Sequence, residues 1–551
     1  MQAFDTHEVH NTVAALADVN LYLLDTALRE AVTREGAQHD DASLAMLGAQ
    51  LGRADVLELG RLANQYPPQL LQYDAGGRRI DELEFHPAWH SLMRLLIEQG
   101  AHATPWLDGN GAQVARAARY LMFGQVENGT QCPVTMTYAS VPALRQAPGL
   151  AAKWLPKILS CNYDPRSLPV EQKQGALIGM GMTEKQGGSD VRSNTTVAQA
   201  LGPDQAQALF GDEGAGVYRV VGHKWFFSAP QSDAHLILAQ TGQGLSCLLL
   251  PRYLPNGERN GIRVQRLKNK VGNRSNASSE VEFTGAYGWL IGPEGRGVPT
   301  ILEMGSHTRL DCVLGSAGAM RAALVHALHH ARQRKAFGKR LSEQPLMQNV
   351  LADLALESEA ATAFAMRLAR CFDESSDPAQ ALLARLLTPA GKYWICKRGP
   401  GFGAEAMEVI GGSGYVEDSP LARLYRELPV NSIWEGSGNV MCLDLLRALG
   451  KTPAARDALA AELALAGDDD ADFCRYRTAL LNNMQCSEAG ARLLAERIVL
   501  AVQAGLLLRH APAYVSSAFI ASRIRCAPGG AYGRLPENVA YGQILARAMP
   551  E

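Results

Sequence analysis

GMGMTEKQGGSDVRSNTT, residues 179–196, marks where the chain changes texture and so decides how the fold divides. Upstream, apolar residues recur at helical spacing, as in HSLMRLLIEQ (90–99) and VARAARYLMFGQVE (114–127). Downstream come short β-branched or aromatic runs closed by turn formers such as PNGERNG (255–261). Within the stretch, Gly187 and Gly188 carry no Cβ and let the backbone approach a ligand closely. Thr183, Ser189 and Thr195 offer hydroxyls that both donate and accept, and Asp190 can brace the loop. A polar loop stitched by local side-chain caps would use the same residues.

Working outward, five runs predict strands of an antiparallel sheet: VYRVVGHKWFFSA (217–229), AHLILAQT (234–241), LSCLLLPRYL (245–254), GIRVQRLK (261–268) and SEVEFTGAYGWLIG (279–292). Helical spacing returns after residue 300. Pro345 suits a first helical position, followed by Leu346, Val350, Leu351 and Leu354. Residues 451–551 are helical again, with breaks at GDDDAD (467–472), NMQCSEAG (483–490) and APGGAYGRLPEN (527–538). The order predicts an α+β fold with segregated layers: a helical domain at 1–175, a β domain at 176–300, a helical domain at 301–450 and a helical extension at 451–551.

The chain has 551 residues, 47% hydrophobic and 20% charged, which is ample for buried cores. A net charge of −2 excludes a surface given over wholly to nucleic acid but leaves room for a local basic patch. Ten cysteines, from Cys132 to Cys526, show no C-x-x-C spacing and read as free thiols of a reducing compartment. The start, MQAFDTHEVHN, is unlike a signal peptide. The apolar run Ile498 to Leu508 carries Gln503, lies between Arg497 and Arg509, and is too short to span a bilayer. These readings place the chain in the cytoplasm, away from membranes.

Three further constellations carry candidate chemistry. In GHKWFFSAP (222–230), Trp225 and Phe226 beside Ser228 can wall a flat aromatic ligand, or they can be strand core. In EVIGGSGYVEDSPLARLYRE (408–427), Gly411, Gly412 and Gly414 predict a loop between two helices. In NSIWEGSGNVMCLDLLR (431–447), Glu435 sits between Trp434 and the flexible Gly436–Ser437–Gly438, just before an apolar helix. A carboxylate against apolar walls suits a general base; an acid capping a helix start is the alternative. His326, His329 and His330, like His86 and His90, have metal-compatible spacing, but no Cys, Asp or Glu completes a set, so no metal is expected. LGKTP (449–453) lacks the first glycine of a P-loop.

Together these motifs resemble the acyl-CoA dehydrogenase family. Met182–Thr183–Glu184 with Gly188–Ser189–Asp190 looks like its first signature. The run from Glu408 through Gly411, Gly412, Gly414, Tyr415, Asp418, Arg423 and Glu427 looks like its second. I-W-E-G-S at 433–437 is similar to the segment holding the catalytic base in many members. QRKAFGKRLSEQPLMQ (333–348) resembles its R-x-x-F-G segment. NLYLLDTALREAVTREGA (20–37), HKWFFS (223–228) and GNRSNAS (272–278) point to the AidB branch of alkylation-response flavoproteins.

The resemblance implies the acyl-CoA dehydrogenase fold: an N-terminal helical domain, a middle antiparallel β domain and a C-terminal helical bundle, with an added helical domain. It implies FAD held by Met182, Thr183, Gly187, Gly188 and Ser189; by Trp225, Phe226, Phe227 and Ser228; and by Ile433, Trp434, Gly436, Ser437 and Asn439. Arg334, Phe337, Gln344, Gly411 and Gly412 would touch the adenosine half across a subunit interface of a homotetramer. Glu435 would be the base that removes the α-proton of an acyl-CoA. The branch further implies a role in the adaptive response to DNA alkylation, with double-stranded DNA bound through the extension and protected, and with at most weak dehydrogenase activity on an isovaleryl-CoA-like substrate. Residues 451–551 contain eleven Lys or Arg against ten Asp or Glu, a balance poor for phosphate binding. Arg523, Arg525, Arg534 and Arg547 are the candidates for a local patch. The competing readings are a metabolic acyl-CoA dehydrogenase without a DNA role, and a DNA-shielding protein whose FAD is structural.

Overall fold

The computed structural model describes residues 6–526 and 529–550, except for the side chains of residues 212 and 213. Residues 1–5 of the polar start and 527–528 of the last predicted break therefore lie outside the described residues. The chain packs as two compact units: residues 58–112 with 127–311, and residues up to 57 with 113–126 and 312 onward.

The first unit is built on seven strands: β1 (Ile178–Gly181), β2 (Val197–Ala200), β3 (Val217–Ser228), β4 (Ala234–Thr241), β5 (Gly244–Pro251), β6 (Ile262–Leu267) and β7 (Ser278–Ile291). The order is β1-β4-β2-β3-β7-β5, with β6 on β7 and a further β4–β5 pairing that closes β4, β2, β3, β7 and β5 into a ring. Most pairs are antiparallel, as the turn-bounded runs predict, but β1 and β2 both join β4 in parallel. These two strands, only four residues each, flank the loop 182–196 and carry too little alternation to be seen in the sequence. Val220, Phe227, Ile237, Leu248, Leu250, Val281 and Phe283 fill the barrel. A hairpin, Gln69–Tyr73 with Arg79–Glu84, is unforeseen in a region read as helical. Its Gln72 Nε2 donates to the carbonyls of Val264 and Gln265, covering the free edge of β6. The helix Gln131–Leu144 is buried along almost its whole length, and its Thr137 hydroxyl accepts from the Ile178 N–H at 3.0 Å, fixing the start of β1.

The second unit is helical. Its main elements are α1 (Thr26–Arg34), α2 (Gly297–Gln333, from Cys312 on), α3 (Pro345–Asp373), α4 (Pro378–Ile410), α5 (Gly438–Lys451), α6 (Ala454–Ala464), α7 (Ala471–Asn482), α8 (Ala491–His510) and α9 (Tyr541–Ala548). Pro345 opens α3 at its first turn, as its fixed φ favours. Asp377 caps α4 by accepting from the Ala379 N–H, and Asp470 of the acidic break caps α7 in the same way. α4 packs against α3, α5, α6 and α8, so the elements after residue 450 share one core with those before it. The predicted buried helix is α8, with Ile498 through Leu507 inside. Among the described residues no helix is long and apolar enough to cross a membrane.

Buried ion pairs fasten the C-terminal region to α3. Arg523 pairs with Asp353 and with Glu357, the latter at 3.2 Å. Arg398 also reaches Glu357, and the Gly533 N–H donates to Asp353 at 2.9 Å. Arg547 bonds Glu359 at 2.9 Å and Glu30 at 2.5 Å. Arg523 and Arg547 are therefore internal struts with side chains 7% and 8% exposed, which corrects their reading as phosphate contacts.

Candidate active site

In the β unit, the loop after β1 folds around one carboxylate. Glu184 is fully buried, and its Oε1 receives the Lys224 ammonium at 2.8 Å. Oε2 accepts from the Thr195 N–H at 2.7 Å and from Gln186 Nε2 at 2.7 Å, while Oε1 also accepts from the Thr196 N–H. Burial alone would raise this carboxyl, but the adjacent ammonium and the hydrogen bonds outweigh it and hold it at about 2. Burial pushes Lys224 down to about 8, against the pull of Glu184. The main chain of Glu184 and Gly187 closes a tight turn in both directions. The Asn194 amide donates to the Met182 carbonyl at 2.9 Å, and the Trp225 N–H donates to the Thr183 carbonyl at 2.8 Å. The structure thus brings together two predicted groups, 182–189 and 225–228.

A bulge in β3 between Lys224 and Phe227 explains what that second group presents. The extra residue turns both Trp225 and Phe226 outward, and Phe226 is 49% exposed. Lys268 lies 3.6 Å from the Trp225 ring centroid and 4.5 Å from that of Phe226. Phe227 points the other way. It is fully buried in the barrel core and stacks on His235 at 3.8 Å between centroids, so its side chain cannot line a ligand, contrary to the expectation above. His235 itself is buried and held neutral, its basicity pushed down to about 3 by burial.

In the helical unit, Glu435 adopts φ +58°, followed by Gly436 at +101°. Non-glycine residues avoid this region, so the turn must be held from outside. Two pins do so. On one side the Trp434 indole N–H donates to Asn431 Oδ1 at 2.9 Å, and the Asn431 amide donates to the buried Ser316 hydroxyl on α2 at 3.1 Å. On the other, Lys392 Nζ of α4 donates to the Gly436 carbonyl at 2.7 Å. Ser437 then caps α5 without a side-chain bond, and Ile433 is 64% exposed. Asn439 Oδ1 accepts from Arg492 of α8. The hairpin after α2 lifts Phe337 into solvent, 99% exposed. Arg334 bonds the Asn11 carbonyl, and Gln344 Nε2 folds back onto the Ala336 carbonyl. At Gly411, with φ +75°, and at Gly412, an added Cβ would meet open space.

Each unit by itself presents features compatible with a planar aromatic cofactor and its polar tail. One offers an exposed ring edge beside a braced loop whose Gly187 leaves open space where a side chain would stand. The other offers a held carboxylate turn and open glycines. The buried pair Glu184–Lys224 was not singled out from the sequence, nor were Asn431, Ser316 and His235; Lys392 stands out there only as one basic group among several, and its burial takes it off any surface patch. For Lys224 a signal existed: a lysine stands where β3 alternation calls for an inward apolar residue.

The comparisons agree with this layout. Residues 11–165 match the adaptive response protein AidB N-terminal domain, 179–286 the acyl-CoA dehydrogenase middle domain, and 295–450 the acyl-CoA dehydrogenase C-terminal domain. The chain belongs to the acyl-CoA dehydrogenase family. It is 53% identical to the putative acyl-CoA dehydrogenase AidB of Escherichia coli (strain K12), over 92% of this chain and 93% of that protein. It is 31% identical to acyl-CoA dehydrogenase family member 11 of Caenorhabditis elegans, over 77% of this chain and 69% of the relative. Among solved structures, C. elegans ACDH-11 in complex with C11-CoA gives a TM-score of 0.83 at 26% identity, covering 99% of this chain and 94% of that one. The apo-form of Bd2924 gives 0.82 at 29% identity, covering 91% and 100%. The fold is accordingly the acyl-CoA dehydrogenase fold, and the family's enzymes are FAD-dependent oxidoreductases.

Proposed function

We propose that this chain binds FAD and dehydrogenates an acyl-CoA thioester, with Glu435 as the base. The observation that carries this reading is the pinned left-handed turn at Glu435. Such backbone strain stands at about 1–3 kcal/mol and persists where surrounding structure over-determines it, most often at functional sites. When bound, FAD supplies the acceptor for the hydride that leaves the β-carbon. The chain supplies the rest. Glu435 takes the α-proton, the braced loop 182–189 offers main-chain and hydroxyl groups to the ring edge, and Phe226 and Ser228 wall the ring. The remaining cofactor contacts are those named from the sequence, without the Phe227 side chain. The C11-CoA bound by the C. elegans relative favours a substrate with an extended acyl chain. Anaerobic titration of the FAD-loaded protein with medium-chain acyl-CoAs should bleach the flavin absorbance. Glu435→Gln should abolish the bleaching while leaving FAD bound; unchanged bleaching would remove Glu435 from the role.

A second reading is carried by the match to the AidB N-terminal domain and the likeness to E. coli AidB. We propose that the protein also serves the adaptive response to DNA alkylation in the cytoplasm, binding and shielding double-stranded DNA as a homotetramer. The exposed Phe337 on its basic hairpin supports an interface between copies. Duplex binding that weakens steeply with salt would support this reading, because displaced counterions drive such association. Absence of duplex binding at low salt would leave a metabolic dehydrogenase.

A further inference from the structure

Lys392 is 1% exposed in the middle of α4, among the apolar residues Tyr393, Ile395 and Cys396. A lysine is almost never buried without a counter-charge. The other buried lysines here obey that rule: Lys224 meets Glu184 at 2.8 Å, and Lys173 meets Asp233 at 2.6 Å. Lys392 does not. Among the described residues its one hydrogen-bond partner is the Gly436 carbonyl, at 2.7 Å. For core packing alone, a methionine of similar length would do better. The position of its single partner gives the reason for its retention. Gly436 follows Glu435, both have positive φ, and the residue on the other side, Trp434, is tied through Asn431 to Ser316. Glu435 is thus the one residue between two pins.

We propose that Lys392 is the positioning residue for Glu435: by holding the Gly436 carbonyl it fixes the left-handed turn and hence where the base carboxylate stands. This rests on the reading of Glu435 as the base. Buried and bonded to the Gly436 carbonyl, Lys392 acts through the backbone.

The test uses the full chain loaded with FAD, comparing wild type, Lys392→Met, Lys392→Gln and Glu435→Gln. Lys392→Met should lower kcat by about 100-fold with KM nearly unchanged, the size expected when a reacting group is misplaced by about 1 Å. The isotope effect on kcat with α-deuterated acyl-CoA should rise, because proton abstraction becomes the slow step. A merely structural loss would reduce the active fraction and leave that isotope effect as it was. Amide hydrogen exchange at residues 434–437 should accelerate in the same variant, in the presence or absence of FAD. Lys392→Gln, which keeps an N–H donor, should recover part of kcat, and it carries the same comparison if Lys392→Met does not fold. Unaltered exchange, or an unaltered isotope effect in a variant that folds, overturns the role of Lys392. Full activity in Glu435→Gln overturns the base reading itself, a separate failure read from a separate protein.

Discussion

The candidate residues of the β unit and those of the helical unit are held in opposite ways. In the β unit, the loop 182–196 wraps a buried carboxylate that has its counter-ion, Lys224, and four further donors. In the helical unit, the turn at Glu435 is held by neutral hydrogen bonds on one side and by a lysine with no carboxylate on the other. The first arrangement is electrostatically complete and serves the stability of its unit. The second leaves a basic group committed to one carbonyl, and its return is local geometry. Breaking the first should therefore be felt in unfolding, and breaking the second in turnover.

The sharpest separation comes from Lys224→Met. Stranding Glu184 without its ammonium should destabilise the β unit by about 3–5 kcal/mol, the usual penalty for an uncompensated buried charge. Calorimetry should show the loss, and the double variant Lys224→Met/Glu184→Leu should recover much of it. Arg523→Met should lower stability somewhat less, toward the bottom of that range of about 3–5 kcal/mol. Arg398 still reaches Glu357, and the Gly533 N–H still reaches Asp353. On the other side of the comparison, Asn431→Ala leaves the Trp434 indole N–H without its acceptor. That should cost about 1–3 kcal/mol in stability, and kcat should fall more than that loss of folded protein explains. Equal falls in folding and turnover would erase the contrast between the two units.

Acid should find the β unit through His235. Its folded basicity is depressed, so the imidazole is neutral when buried and takes a proton only on unfolding. Its contribution is intact above about pH 6.5 and is lost as pH falls toward about 3, at a slope of about 1.4 kcal/mol per pH unit. Glu184, also depressed, adds its own loss below the ordinary carboxylate range. Unfolding midpoints measured between pH 7 and pH 4 should decline accordingly, and a flat profile would contradict a buried neutral imidazole.

Much of this architecture was legible in the residues, for reasons that differ by element. Strands β3 to β7 announced themselves because each combines β-branched or aromatic residues with a turn former at its end. AHLILAQT corresponds to β4 residue for residue. β1 and β2 were silent because four residues carry no periodicity, and their parallel pairing to β4 is set by tertiary packing. The loops 182–189 and 433–439 stood out by their glycines, hydroxyls and one acid, but only the resemblance to the acyl-CoA dehydrogenase motifs gave them a cofactor and a base. What braces them did not stand out. Glu184 pairs with a residue 40 positions away. Lys392 reaches Gly436 across 44. A lone lysine in an apolar helix gives no hint of which carbonyl it will meet. Arg523 and Arg547 misled for the same reason, since their acidic partners lie on α1 and α3, far upstream.

Arg525 gives the smallest effect and the finest discrimination. It stands two residues after Arg523, yet its side chain is 62% exposed, paired with Asp472 at 2.6 Å. An exposed pair of this kind is worth about 0.2–1 kcal/mol, so Arg525→Ala should shift stability by no more than that. Its value lies elsewhere. If the extension grips duplex DNA, Arg525 is one of the few candidate cations there whose side chain solvent can reach. Removing one phosphate contact should then reduce the slope of log affinity against log salt by about 0.9. Arg523→Met cannot be interpreted that way, because its loss disturbs α3 before it disturbs any surface. A slope unchanged in Arg525→Ala, with binding intact, would remove Arg525 from the DNA contacts.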